Sequence, residues 1–159
     1  MRAENDFSNS LNQLQNTIKS LETATTIDSI RGFEGAGSAA YFGCFNQLIR
    51  NDKFSFKIRN RRPPLDPVNS LLSLGYSLLR HEIQSAINIV GFDPYLGYLH
   101  TQRYGRPSLA LDLMEEFRPL IVDSVVFNAI NRRILTPQDF ITEPVSNAVT
   151  LKIEALHKF

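Results

Sequence analysis

Asp66-Pro-Val-Asn-Ser-Leu-Leu-Ser-Leu-Gly-Tyr-Ser-Leu-Leu-Arg-His-Glu-Ile-Gln-Ser-Ala-Ile-Asn-Ile-Val-Gly91 reads as one helix with both ends marked. Aspartate offers an N-cap acceptor, proline suits the first helical position, and glycine can close the helix in the left-handed region. Between them Val68, Leu71, Leu72, Leu74, Leu78, Leu79, Ile83, Ala86, Ile87 and Val90 cover much of the circumference. A helix apolar over so wide a sector is surrounded by others, so this is the central buried helix of an all-α protein. His81, between Arg80 and Glu82, reads as a surface residue on it.

Upstream, Leu11, Leu14, Ile18 and Leu21 recur at three- and four-residue steps, the mark of an amphipathic helix. Thr25-Thr26 can cap a turn leading through Ile27 and Ile30 to Glu34, after which Tyr41, Phe42, Phe45, Leu48 and Ile49 form another helical stripe. The small-residue run Gly35 to Ala40 opens that helix, and each glycine costs about 1 kcal/mol relative to alanine there. Tight helix packing and room for a ligand beside Glu34 both account for it. Asn51 to Asn60 is a short extended segment or a loop, with Phe54, Phe56 and Ile58 alternating. It runs into Lys57-Ile-Arg-Asn-Arg-Arg62, a basic cluster that Pro63 and Pro64 hold extended. That cluster is a solvated face or, being just ahead of a helix start, a contact for phosphate.

Downstream, Asp93-Pro94 signals a short helix through Tyr95 and Leu96, and Gln102 to Pro107 is a polar loop. Ser108 then caps a helix whose apolar side is Leu109, Leu113, Phe117 and Leu120. At about 100° per residue, Asp112, Glu115, Glu116 and Asp123 share the opposite face. Pro119 should bend this helix past its acidic turn. Thr136-Pro137 starts one more short helix, and Val149, Ile153 and Leu156 suggest a last one still running at Phe159.

The 159 residues, 43% of them hydrophobic, are enough to close one core. No apolar run reaches the roughly 18 residues of a membrane span and no signal-peptide pattern opens the chain, so a cytoplasmic location is expected. A single cysteine, Cys44, excludes an internal disulfide and a zinc cage, and reads as a small buried hydrophobe. Net charge of only +1 leaves any nucleic-acid role to clustered charge.

The chemistry gathers around His100 and the carboxylates downstream of it. Asp112 and Glu115, three apart, place like charges close enough to repel unless a cation bridges them, and a short loop can return His100 to that face. With Glu34, two or three carboxylates and one imidazole make an oxygen-rich site suited to Mg²⁺ or Mn²⁺, the imidazole favouring Mn²⁺. Such a cation at a phosphate supports phosphodiester chemistry.

Glu34-Gly35 with Tyr41-Phe42, Arg61-Arg-Pro-Pro-Leu-Asp-Pro-Val-Asn69 with Leu72-Ser-Leu-Gly-Tyr76, Gly91-Phe-Asp-Pro-Tyr-Leu-Gly-Tyr-Leu-His100, and Leu109-Ala-Leu-Asp-Leu-Met-Glu-Glu-Phe-Arg-Pro119 follow one another in a family's order and spacing. The chain, from about Thr26 to Phe140, resembles the helical catalytic domain of Cas1, the CRISPR-associated endonuclease and integrase that acquires spacers. The resemblance implies a metal-dependent enzyme that inserts prespacer DNA into a CRISPR repeat by transesterification, working with the small partner Cas2 and as a homodimer in its full-length form. It also implies metal ligands at Glu34, His100 and Glu115, a further active-site acid at Asp112, and phosphate contacts at Arg59, Arg61 and Arg62. Family members often have aspartate where Glu115 stands. Asn69 and Tyr76 belong to the motif, with a place near the site.

The family's N-terminal β domain has no counterpart here, and the family continues helically past the point where this chain ends. The expectation is therefore one helical catalytic domain, residues 1–159, of seven or eight helices and truncated at both ends relative to the family. The rival readings are a catalytically silent DNA-binding or scaffold subunit, and a structural helical adaptor.

Overall fold

The computed structural model describes residues 7–101 and 103–159. Helix α1 spans Ser8–Leu21, α2 Ile27–Leu48, α3 Pro67–Val90, α4 Ser108–Phe117 and α5 Ser124–Asn131. A π-helical turn, Arg118–Asp123, joins α4 to α5. Two three-residue strands, β1 (Phe140–Thr142) and β2 (Val149–Leu151), pair antiparallel with Phe140 opposite Leu151. The protein is thus mostly helical, with one small hairpin.

Helix α3 forms as its end signals require. The Asp66 carboxylate accepts the Asn69 N–H at 2.8 Å, Pro67 occupies the first turn, and Gly91 ends the helix at φ +89°. Val68, Leu71, Leu72 and Leu79 are buried against Val122, Val126 and Ile130 of the π turn and α5 and against Phe45 of α2. Burial fades along the helix, and Ile89 and Val90 at its far end are exposed. Gly75 permits the closest approach: a Cβ there would lie 2.5 Å from Cγ1 of Val122.

In α2, Thr26 caps at Ser29, so the helix begins well before Glu34 and carries the small-residue run in its interior. Helix α1 packs along α2, and a Cβ on Gly37 would meet Leu14 and Thr17 at 3.8 Å, whereas one on Gly35 would meet nothing within 4 Å. Phe45 anchors an aromatic cluster, its ring centroid 4.9 Å from that of Phe56 and 4.5 Å from that of Phe127. Cys44 is buried, and its thiol donates to the Tyr41 carbonyl.

Four expectations need correction. Asp93-Pro94 opens turns and not a helix. The segment from Val149 forms β2 and then a 3₁₀ turn, Ile153–Lys158, where a last α-helix was expected. The stripe of α4 is also turned: Ala110 and Met114 are buried, whereas Leu113, Phe117 and Leu120 are exposed. Finally, the four acids do not share a face. A π turn winds more residues per turn than an α-helix, so register is lost across Arg118–Asp123, and Asp123 is 1% exposed while Glu116 lies outside. Gln102, the first residue of the polar loop, lies outside the described residues.

Candidate active site

Asp112 is the hinge of the site's geometry. One carboxylate oxygen accepts the N–H groups of Tyr98 at 2.6 Å and Leu99 at 3.0 Å; the other accepts the His100 N–H at 2.9 Å and faces His100 Nδ1 at 2.6 Å. Burial opposes ionisation, but these hydrogen bonds outweigh it and hold the carboxyl below its ordinary value. An ionised carboxylate only accepts, so Nδ1 of His100 is the donor, and in the neutral imidazole the lone pair then lies on Nε2. The arrangement explains why Asp93-Pro94 nucleates no helix: the N–H groups of residues 98–100 are drawn to α4. Gly97 is part of this device, since a Cβ there would lie 2.7 Å from the Ser108 carbonyl carbon and 2.9 Å from the Asp112 carboxylate. Asp112, expected as an active-site acid, is hydrogen-bonded to both the backbone and the ring of His100.

Glu115, three residues on, is half-buried and pairs with Arg118 at 2.9 Å. Burial raises its pKa; Arg118 opposes the rise, Glu34 adds to it, and His100 and Arg61 oppose it. A like charge that Glu115 feels is Glu34, from α2. Glu34, His100 and Arg61, distant in sequence, all fall within electrostatic reach of this one carboxylate.

Behind it lies a second network. Tyr41 and Tyr76 donate their hydroxyls to the two oxygens of Asp123, at 2.8 and 2.6 Å. Burial, then the Asp123 charge, pushes both phenols above their ordinary value. Burial also raises Asp123, against the hydrogen bonds of the two tyrosines. The guanidinium carbons of Arg118 and Arg59 lie 5.0 and 5.5 Å from the Tyr76 ring centroid. Asp123, expected on the acidic face of the helix, is buried, and the three-residue spacing of Glu115 and Arg118 is the sequence signal of their ion pair.

The basic cluster divides. Arg59 donates to Asn69 Oδ1 at 2.7 Å and to Ser73 at 3.2 Å, and burial pushes its pKa down to about 10. Asn69, wholly buried, also accepts the Asn60 N–H and donates to the Ile58 carbonyl, sewing this segment to α3. Arg61 and Arg62 are exposed, as is Lys57, so these side chains of the run are open to an incoming phosphate.

The donor set of Glu34, His100 and Glu115, two carboxylates and an imidazole with a free Nε2, fits a hard divalent cation of the Mg²⁺ or Mn²⁺ type. Among the described residues no three such side chains are already gathered to hold one, and Glu115 is engaged with Arg118. The fit is one of donor chemistry and electrostatic placement. No described helix is long and apolar enough to cross a membrane.

The protein is mostly helical, and α4 carries both the carboxylate bonded to His100 and the half-buried Glu115 that pairs with Arg118. The family described as CRISPR associated protein Cas1 matches residues 1–159. The chain is 51% identical over 128 residues to a CRISPR-associated endonuclease Cas1 of Thermus thermophilus, an alignment covering 80% of this chain and 38% of that protein. It is 31% identical to a chain of a partial Cas6-RT-Cas1–Cas2 complex, with TM-score 0.87 over 96% of this chain and 46% of the other. It is likewise 31% identical to a casposase bound to integration product, with TM-score 0.82 over 96% and 44%. The protein belongs to the Cas1 family. It spans less than half the length of these three relatives.

Proposed function

We propose that this chain is the catalytic part of a metal-dependent DNA endonuclease and integrase that inserts prespacer DNA into a CRISPR repeat by transesterification. The observation that carries the reading is the His100 ring hydrogen-bonded to Asp112, three residues along α4 from the half-buried Glu115 carboxylate. The relatives named as Cas1 endonucleases, and the casposase bound to integration product, support it. DNA and Cas2 are the partners this reading implies, with a homodimer in the full-length form; the Cas1–Cas2 assembly among the similar structures supports Cas2.

Glu34, Glu115 and Nε2 of His100 would hold Mn²⁺ or Mg²⁺, which when bound stabilises charge on the phosphate oxygens of the strand under attack. The protein's own contributions are separate. Asp112 holds the proton on Nδ1 and so presents Nε2 as a donor pair. Arg61 and Arg62 offer exposed guanidiniums to the DNA backbone, which forks of this shape can bind bidentately. Arg118 neutralises Glu115 while no other cation does.

The test is Mn²⁺-dependent nicking, or disintegration of a branched DNA, by the wild type, His100→Ala and Glu115→Ala. Both variants should lose activity, and equal activity in all three would overturn the reading. The Glu115–Arg118 pair favours a second reading, a DNA-holding subunit whose acids stay occupied by arginine. It predicts no calorimetric Mn²⁺ binding and no nicking by the wild type.

A further inference from the structure

Asp123 is 1% exposed, and both oxygens of its carboxyl accept a tyrosine hydroxyl, from Tyr41 at 2.8 Å and from Tyr76 at 2.6 Å. Three elements meet at this one side chain. Tyr41 comes from α2, Tyr76 from α3, and Asp123 ends the π turn that continues the helix of Glu115. A buried carboxyl adds little stability over an apolar side chain of its size, but a fully paired one fixes the geometry of the elements it joins.

The geometry fixed here is that of α2. Glu34 and Tyr41 are seven residues apart on that helix, which at 3.6 residues per turn leaves them about 20° apart on one face. Arg31, just before Glu34, donates its Nε to the Leu99 carbonyl at 2.7 Å, beside His100. The face bearing Glu34 is therefore fastened twice: Arg31 ties it to the segment of His100, and Tyr41 ties it to the stretch of chain that follows Glu115. Asn131, which donates to the Leu48 carbonyl at 3.0 Å, holds only the far end of α2. Glu34 is exposed, and among the described residues no hydrogen bond or ion pair holds its side chain. The seat of the helix sets its place.

We propose that Tyr41 and Asp123 are positioning residues for Glu34: the hydrogen bond between them fixes where the Glu34 carboxylate stands relative to Glu115. That the two carboxylates hold a divalent cation rests on the proposed function; the fastening of α2 rests on the hydrogen bonds.

The test is Mn²⁺ calorimetry and amide hydrogen exchange on the full chain, well below its melting temperature. Tyr41→Phe removes the hydroxyl and keeps the ring with its edge-on contacts to Phe42 and Phe45, so the variant should fold. It should bind Mn²⁺ about tenfold more weakly, as happens when other groups that orient metal ligands are lost. Asp123→Asn, which leaves fewer acceptors for the two hydroxyls, should change affinity in the same direction. In EDTA, the amides of α2 around Glu34 should lose protection in Tyr41→Phe while those of the hairpin keep theirs. Phe140→Leu trims a buried ring at the hairpin, outside these ties, and stands for a purely structural loss. It should lower the melting temperature and leave Mn²⁺ affinity unchanged. Binding by Tyr41→Phe within about twofold of wild type would overturn the proposal, as would an equal loss in Phe140→Leu. A wild type that binds no Mn²⁺ would overturn the metal reading, and hydrogen exchange would then decide the positioning alone. Faster exchange around Glu34 in Tyr41→Phe but not in Phe140→Leu would sustain it, and unchanged exchange would overturn it.

Discussion

Nδ1 of His100 lies 2.6 Å from the Asp112 carboxylate, which at the same time gathers the backbone N–H groups of Tyr98, Leu99 and His100. One side chain on α4 thus sets the path of the preceding segment and the tautomer of its histidine. Replacing it by a ligand-like role would break both, since no lone pair is left idle.

Asp112→Asn tests this directly. The new amide places a donor where the protein presents N–H groups, on whichever side it falls. Mn²⁺ affinity and nicking rate should fall by about 10–100-fold, as for other groups that orient a metal-binding histidine. The fold should lose about 1–3 kcal/mol from the unpaired N–H groups, read from denaturant unfolding. Unchanged metal affinity would remove Asp112 from its positioning role.

The same variant makes a prediction about acid. The Asp112 carboxyl is held below its unfolded value of 3.8, so the folded state favours the charged form. Its stabilisation is fully present above that value and is lost as pH falls through the lower folded value. The difference in unfolding free energy between wild type and Asp112→Asn should therefore be largest at neutral pH. It should shrink as the solution is acidified below pH 3.8.

Arg118→Met should shift the pH dependence of activity. Glu115 must be ionised to hold a cation, burial already raises its pKa, and Arg118 opposes that rise. Without the guanidinium the carboxyl climbs further, and the acidic limb of the pH–rate profile should move to higher pH. A limb that stays in place would mean that the ion pair does not govern Glu115.

Two glycines separate stability from site geometry. Gly75→Ala drives a Cβ to within 2.5 Å of Val122 in the core and should cost about 1–3 kcal/mol with little change in the rate of the folded fraction. Gly97→Ala presses on Ser108 and the Asp112 carboxylate, so it should lower both the melting temperature and the nicking rate of the folded fraction. Comparing rates per folded molecule distinguishes them.

Much of the scaffold was legible because its signals are local. Asp66, Pro67 and Gly91 bound α3 as their chemistry dictates, and Thr26 caps α2. Thr136 and Asp139 close a reciprocal cap around Pro137. Failures came where distant groups compete for the same atoms. Asp93-Pro94 carries a helix signal, yet Asp112 takes the N–H groups just downstream of it. The apolar stripe of α4 is turned outward, and the helix presents Asp112 to the N–H groups of residues 98–100. Arg59, expected to meet phosphate, is folded onto Asn69 and Tyr76.

The site shows the same division. Residue types and spacing singled out Glu34, His100, Asp112 and Glu115, since carboxylates and an imidazole suit a hard cation. Only the tertiary structure decided their roles: Asp112 holds the histidine, Glu34 is the acid opposed to Glu115, and Asp123 is buried under two tyrosines. The reason is physical. Helix ends and residue chemistry are properties of neighbours in the chain, whereas a π turn's change of register and a buried carboxylate's choice of donors depend on elements far apart in sequence that meet only after folding.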